Sequence, residues 1–159
     1  MMTKHKLIAE PGKQEIVMTR TFDAPRELVF KAFADPDLIP KWWGPARLTT
    51  TVDKMEVRMG GIWRYVQRDA AGNEFGFRGV YHHIKAPEQV VFTFEWEGMP
   101  GHILLETVTL TEQDGKTLVT DSSVFQSVAD RDGMLQAGME EGATESWDRF
   151  ESLLPVLQY

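Results

Sequence analysis

The segment DRDGMLQAGMEEGATESWDRFESLLPVL, residues 130–157, decides how this chain folds. At 100° per residue, Leu135, Met139, Gly142, Ala143, Ser146, Trp147, Phe150, Leu153, Leu154 and Leu157 fall in one arc of about 140°. Glu140, Glu141, Glu145, Asp148, Arg149 and Glu151 fall outside it. The pattern predicts one long amphipathic helix, capped by Asp130 or Asp132, running to about Leu154 with Pro155 near its end. A helix with a single apolar stripe must bury it against another element.

That element lies upstream. In Glu15 to Asp23, Ile16, Met18 and Phe22 alternate with Val17, Thr19 and Thr21, which predicts a first strand. Asp23-Ala24-Pro25 then opens a short helix to Ala34, with Asp23 as its cap, and Asp35-Pro36 opens a second that stops at Gly44-Pro45. From Arg47 the chain reads as strands separated by turn residues: Arg47 to Val57, Ile62 to Arg68, Glu74 to Lys85, Gln89 to Glu97, His102 to Thr111 and Lys116 to Phe125. Phe92, Phe94 and Trp96 share one face of their strand, as do Trp63 and Tyr65. The fold class is therefore α+β, an antiparallel curved sheet of about seven strands wrapped around the C-terminal helix. Two short helices follow the first strand. Residues 1–159 read as one domain, with 1–14 a flexible polar arm.

Composition narrows the function. With 24 acidic and 17 basic residues the net charge is −7, so no general positive field exists to attract nucleic acid. The absence of cysteine excludes disulfides, thiolate metal sites and a Cys nucleophile. No apolar run approaches the roughly 20 residues of a membrane span, and the first 13 residues have no apolar signal-peptide core. A cytoplasmic protein is expected.

Particular residues also mark a family. They are Arg20-Thr21-Phe22-Asp23-Ala24-Pro25 with Leu28-Val29-Phe30, Asp35-Pro36 leading to Trp42-Trp43-Gly44-Pro45, and Gly60-Gly61 with Trp63-Arg64-Tyr65. Gly79-Val80-Tyr81, Pro87-Glu88, and in the helix Gly138, Glu141-Gly142, Glu145-Ser146-Trp147 and Arg149-Phe150 complete the set. In order and spacing the chain resembles the bacterial and archaeal homologues of the activator of heat-shock protein 90 ATPase, within the START-like or SRPBCC superfamily. The resemblance runs from about Glu15 to Leu154. It implies a helix-grip fold with a cavity between long helix and sheet, where related families carry lipids, sterols or plant hormones and some act as polyketide cyclases. The family name implies a chaperone partner and a stress-response role. The eukaryotic co-chaperone, however, has an additional N-terminal domain for its main chaperone contact, and nothing before Glu15 is long enough to be it, which argues against that partner.

The candidate cavity lining is Trp43, Trp63, Tyr65, His82, Phe92, Phe94 and Trp96 from the sheet side, with Met139, Gly142 and Trp147 from the helix. Core packing accounts for any one of these; as a group, opposite Gly138 and Gly142, they favour space for a ligand. His82 and His83 are adjacent in a strand and point to opposite faces, so they cannot share a metal. Asp130-x-Asp132-Gly133 begins like a calcium loop, but Met134 and Leu135 occupy ligand and glycine positions. Ser122, Ser123 and Ser127 lack a nucleophile elbow. No catalytic residue, metal or cofactor is assigned. For acid–base work His82, Arg64, Tyr81 and Asp121 are the candidates, His82 being expected on the inner face between Val80 and Ile84. The leading expectation is non-catalytic binding of a small hydrophobic molecule. The alternatives are a cyclase, dehydratase or hydrolase using polar cavity residues, and a chaperone-associated interaction module. An exposed strand edge, or an aromatic patch such as Trp42, would let two copies pair.

Overall fold

The computed structural model describes residues 5–157. The alternating segments form β1 (Lys6–Ile8), β2 (Glu15–Phe22), β3 (Thr49–Met55), β4 (Ile62–Arg68), β5 (Glu74–Lys85), β6 (Gln89–Trp96), β7 (Ile103–Gln113) and β8 (Lys116–Phe125). The helices are α1 (Arg26–Ala34), α2 (Ile39–Trp42), α3 (Val128–Gln136) and α4 (Met139–Leu157). The strands make one antiparallel sheet in the order β1-β2-β8-β7-β6-β5-β4-β3. The sheet thus has eight strands rather than about seven. The extra one, β1, lies in the segment expected to be a loose arm: Leu7 faces Met18 across the edge of β2. Behind it, the buried Arg131 side chain donates to the carbonyls of Glu10 (2.7 Å) and Glu15 (3.2 Å), tying this segment to α3. Residues 1–4 of the expected arm lie outside the described residues.

The long C-terminal helix is two helices. Gly138 adopts φ +85°, the left-handed conformation that ends helices and that glycine enters without a Cβ clash. It separates α3 from α4, so Leu135 and Gly138 are not on the arc of α4. The cap of α3 is Ser127, whose Oγ accepts from the Asp130 amide at 3.0 Å, rather than Asp130 or Asp132. Asp130 instead meets His102 Nδ1 at 3.0 Å, and Asp132 pairs with Arg131. Asp23 likewise does not cap α1; the helix starts behind Pro25, and the Arg26 amide is taken by Glu112 Oε1 at 2.6 Å. α4 continues through Pro155 to Leu157.

Side chains of β2, β7 and β8 that face the helices form the closed half of the core: Ile16, Phe22, Val108, Leu110 and Val119 are all buried. Against them pack Val29 and Ala32 of α1, Ile39 and Trp42 of α2, and Trp147, Phe150 and Leu154 of α4. Phe150 is the hub, its ring 5.0 Å from Phe22 and 4.8 Å from both Phe33 and Trp42. Trp42, expected as an exposed patch, is buried and donates its indole N–H to the Ala32 carbonyl at 2.9 Å. The dimer route through Trp42 therefore falls away.

Between β5 and β6 a side chain replaces a rung of the backbone ladder. Trp63 of β4 lies directly opposite Gly79 of β5, and its indole crosses Gly79 to donate to the Thr93 carbonyl of β6 at 3.2 Å. The Val80 amide turns to Thr93 Oγ1 at 2.9 Å. A Cβ on Gly79 would collide with both the Thr93 carbonyl oxygen and the Trp63 indole. Gly79→Ala is therefore expected to destabilise the fold by about 2–3 kcal/mol, the range of overpacked cores, in urea denaturation. An unchanged midpoint would show that the indole is free to move aside.

Candidate functional site

The register of the sheet lines up a second, less closed half of the concave face. Tyr81 of β5 lies opposite Phe92 of β6, Phe92 opposite Glu106 of β7, and Glu106 opposite Ser123 of β8. In the next row Val90, Val108, Asp121 and Met18 follow one another in the same way. Directly opposed residues on one face of a sheet sit close enough to touch. The concave face therefore runs from an aromatic end on β4–β6 to a polar patch on β7 and β8.

At the aromatic end Trp43, which follows α2, stands edge-on to Tyr65 (5.0 Å) and Phe77 (5.2 Å). Trp63 stacks 4.7 Å from Tyr65 and lies 6.1 Å from both Phe92 and Phe94. Phe77, Phe92, Phe94 and Trp43 are only half-buried, unlike the residues of the closed half. The reason lies in α4. Its nearest neighbours in backbone are α1, α2 and α3, and its buried large side chains begin only at Trp147. Ser146 fastens it by accepting from the Gly44 amide (3.1 Å) and donating to the Trp42 carbonyl (3.0 Å). One turn earlier on that flank is Gly142, where a Cβ would meet no atom within 4 Å. Met139 and Ala143 are half-buried beside it.

The polar patch holds two carboxyl groups. Asp121 is 8% exposed, and its Oδ1 is buried without a hydrogen-bond partner among the described residues. Glu106 has Ser123 Oγ at 3.5 Å, at the outer limit of a hydrogen bond. Glu106 is half-buried. Burial pushes the Asp121 carboxyl up to about 7. Burial, and then the neighbouring charge of Asp121, raise Glu106 well above the usual carboxylate range. Burial also raises Tyr81, to about 12, and Tyr65, with Glu106 a smaller contributor to Tyr65.

Of the residues predicted from the sequence, Trp43, Trp63, Tyr65, Phe92 and Phe94 come together on this face, with Met139 and Gly142 of α4 near its rim. Trp147 belongs to the closed half, 5.8 Å from Phe22 and 5.3 Å from His5. Two residues are displaced. A register shift between Tyr81 and His83 makes His82 the extra residue of a β-bulge, so it is exposed instead of facing inward. Trp96, at the end of β6, is 38% exposed and lies against Gly98. Among the acid–base candidates Tyr81 and Asp121 face inward, whereas Arg64 is on the convex face. Glu106 and Phe77 were not foreseen. The signal for Glu106 was available: it is the one carboxylate at an otherwise apolar alternate position, in Leu104, Glu106, Val108, Leu110.

The convex face also carries a groove, of about 380 Å3, lined by Ile62, Val80 and Ile103 among charged residues. Its charges are already paired: Arg64 with Glu97 (2.7 Å) and Asp53 (3.2 Å), and Arg78 with Glu95 (3.0 Å). Arg64 holds Glu97 below the usual carboxylate range, and the Gly101 amide, then Arg78, do so for Glu95. The concave face is the better candidate because its polar groups are buried and unspent. Among the described residues no group of three or more His, Asp or Glu is placed to hold a metal, and no helix is long and apolar enough to cross a membrane.

Comparison with known proteins agrees with the architecture. A family model described as activator of Hsp90 ATPase homolog 1-like protein matches residues 23–155. A protein from Arthrobacter aurescens is similar in structure, with a TM-score of 0.87 and 24% identity over 94% of this chain and 91% of that one. One from Staphylococcus epidermidis has a TM-score of 0.79 and 27% identity over 92% of each chain. CalU16 from Micromonospora echinospora has a TM-score of 0.63 and 19% identity over 95% of this chain and 85% of its own. No curated protein matches the chain.

The buried carboxyls make stability depend on pH in a defined direction. Asp121 titrates near 3.8 when unfolded and about 7 when folded, so between these values the native state holds a proton that the unfolded chain has released. This term is most favourable below about pH 4 and is lost as the pH rises through 7. Asp121→Asn is expected to flatten that decline and to raise stability near pH 8 by on the order of 2 kcal/mol. Denaturant titrations between about pH 4.5 and 8 measure it, and a wild-type slope that survives the substitution would contradict it.

Proposed function

The chain belongs to the family of activator of Hsp90 ATPase homolog 1-like proteins, and we propose that it binds a small, largely apolar molecule between the concave face of the sheet and the first turns of α4. The observation that carries this reading is the half-buried state of Phe77, Phe92, Phe94 and Glu106 on the concave face, with a helix whose buried anchors begin at Ser146. Large aromatic side chains in the middle of a sheet face normally close against their cover. Here they retain accessible surface, and burying it against a ligand would contribute at roughly 25 cal/mol per Å2. The pocket wall is rigid, since Trp63 is pinned to Thr93 and Trp43 is wedged between Tyr65 and Phe77. The adaptable side is α4, where the unfilled position at Gly142 and the flexible Met139 border the space.

Thermal denaturation in the presence of a panel of fatty acids, sterols and fused-ring aromatics tests this reading. A ligand at about 100 times its Kd stabilises the native state by about 2.7 kcal/mol, which is a readily measured rise in Tm. At least one class is expected to produce it. Gly142→Trp, which fills the open position, is expected to lower that ligand's affinity at least about tenfold while leaving the ligand-free Tm within about 2 °C. If no compound in the panel shifts Tm, the reading fails.

A further inference from the structure

We propose that the molecule taken up under α4 carries one protonated amine, held by Asp121 and Glu106, with its apolar body against the aromatic end of the sheet. The inference rests on the apolar-ligand reading above and specifies the chemistry of that ligand.

Three observations lead to it. First, the polar patch is acidic, and the one inward-facing base beside it, Arg20 on β2, gives Nη2 to α4, at 2.7 Å from Asp148 and 3.4 Å from Glu151, while its buried Nη1 has no partner among the described residues. Arg131 is committed to backbone carbonyls and to Asp132. Second, Asp121 Oδ1 is a fully buried acceptor with no donor, and Glu106 has only the long contact to Ser123. A buried acceptor left unmet costs about 1–3 kcal/mol, and a donor brought by a ligand recovers it. Third, the neighbours of this patch suit a cation. Phe92 lies directly opposite Glu106, with Tyr81 beyond it in the same row. An ammonium between a carboxylate and aromatic rings is attracted by both. A carboxylate ligand would be repelled once the pair has lost a proton and would gain nothing from the rings. A neutral alcohol would satisfy an acceptor but would gain little from the charge or the rings.

The groups that face the pair set its pH behaviour. They are Tyr65 of β4, Tyr81 of β5, Ser123 of β8 and the buried Nη1 of Arg20 on β2, whose Nη2 meets Asp148 and Glu151 of α4; His5 stands against Trp147. The tyrosines stay neutral near pH 7, since burial raises both. Binding an ammonium therefore requires the carboxyl pair to give up a proton, and amine affinity rises as the pH passes through about 7.

The test compares two ligands with one skeleton, tryptamine and tryptophol, by calorimetric titration of the wild-type chain at about pH 6, 7 and 8. Tryptamine is expected to bind at least about tenfold more tightly than tryptophol near pH 8, with the ratio shrinking toward pH 6. Asp121→Asn with Glu106→Gln is expected to lower tryptamine affinity at least about tenfold more than tryptophol affinity. Both substitutions remove buried charge, and a circular-dichroism melt verifies that the variant folds. Equal affinities for the two ligands, or an amine preference that survives the double substitution, overturns the proposal while leaving the apolar-ligand reading in place. So does binding of neither when a compound of the apolar panel does bind. Failure of that whole panel instead removes the reading on which the proposal rests.

Discussion

Everything in this structure depends on where α4 is fastened. Phe150 sits among Phe22, Phe33 and Trp42, and Ser146 closes two hydrogen bonds with the segment after α2. Arg149 adds a third link, donating to the Gly44 carbonyl at 2.6 Å. These contacts all come from the middle and C-terminal turns of the helix. A fully buried aromatic such as Phe150 contributes about 3 kcal/mol or more to a core. The N-terminal turns have no comparable anchor. Gly138 gives the chain its bend at that end, and Gly142 presents no side chain to the sheet. The helix is therefore held from its middle to its C-terminus, and the large side chain of its first turn, Met139, is only half-buried.

The legibility of the fold tracks the length over which a pattern persists. The strands Ile62–Arg68, Glu74–Lys85 and Lys116–Phe125 were placed to the residue because each carries several alternations between turn signals. β1 was missed because three residues cannot display a period, and its existence depends on Met18 and Arg131, far away in sequence. The break at Gly138 was missed for the opposite reason. The apolar spacing from Leu135 through Met139 continues across it, and a left-handed glycine leaves no mark in that spacing. His82 shows how a bulge defeats face assignment. One additional residue reverses the parity of all that follow, and nothing in Tyr81-His82-His83-Ile84 announces it.

The candidate site was legible in its aromatics and not in its charges. Trp63 with Tyr65, and Phe92 with Phe94, were paired by strand face, whereas Trp43 follows α2 and joins them through Tyr65 and Phe77. The two chemically distinctive groups are Asp121 and Glu106. Asp121 was among the polar candidates; Glu106 was passed over because glutamates are common in strands, although its place in the alternation Leu104, Glu106, Val108, Leu110 points it inward. The reverse holds for Arg64, whose partners Glu97 and Asp53 place it on the outer face.

Two uncompensated carboxyl groups in an apolar interior are a stability cost, since burial disfavours their charged forms and each raises the other's proton affinity. Isosteric amides or apolar residues at Asp121 and Glu106 would relieve it. The fold itself does not require either group: the closed half of the core is made by Ile16, Phe22, Val119, Phe150 and their neighbours, without any carboxyl. Among the described residues Asp121 Oδ1 has no hydrogen-bond partner, and Glu106 has the long contact to Ser123. That mismatch between cost and structural use is the ground on which the amine proposal rests. In the sheet Glu106 lies opposite Phe92, and Asp121 lies opposite Met18 and Val108.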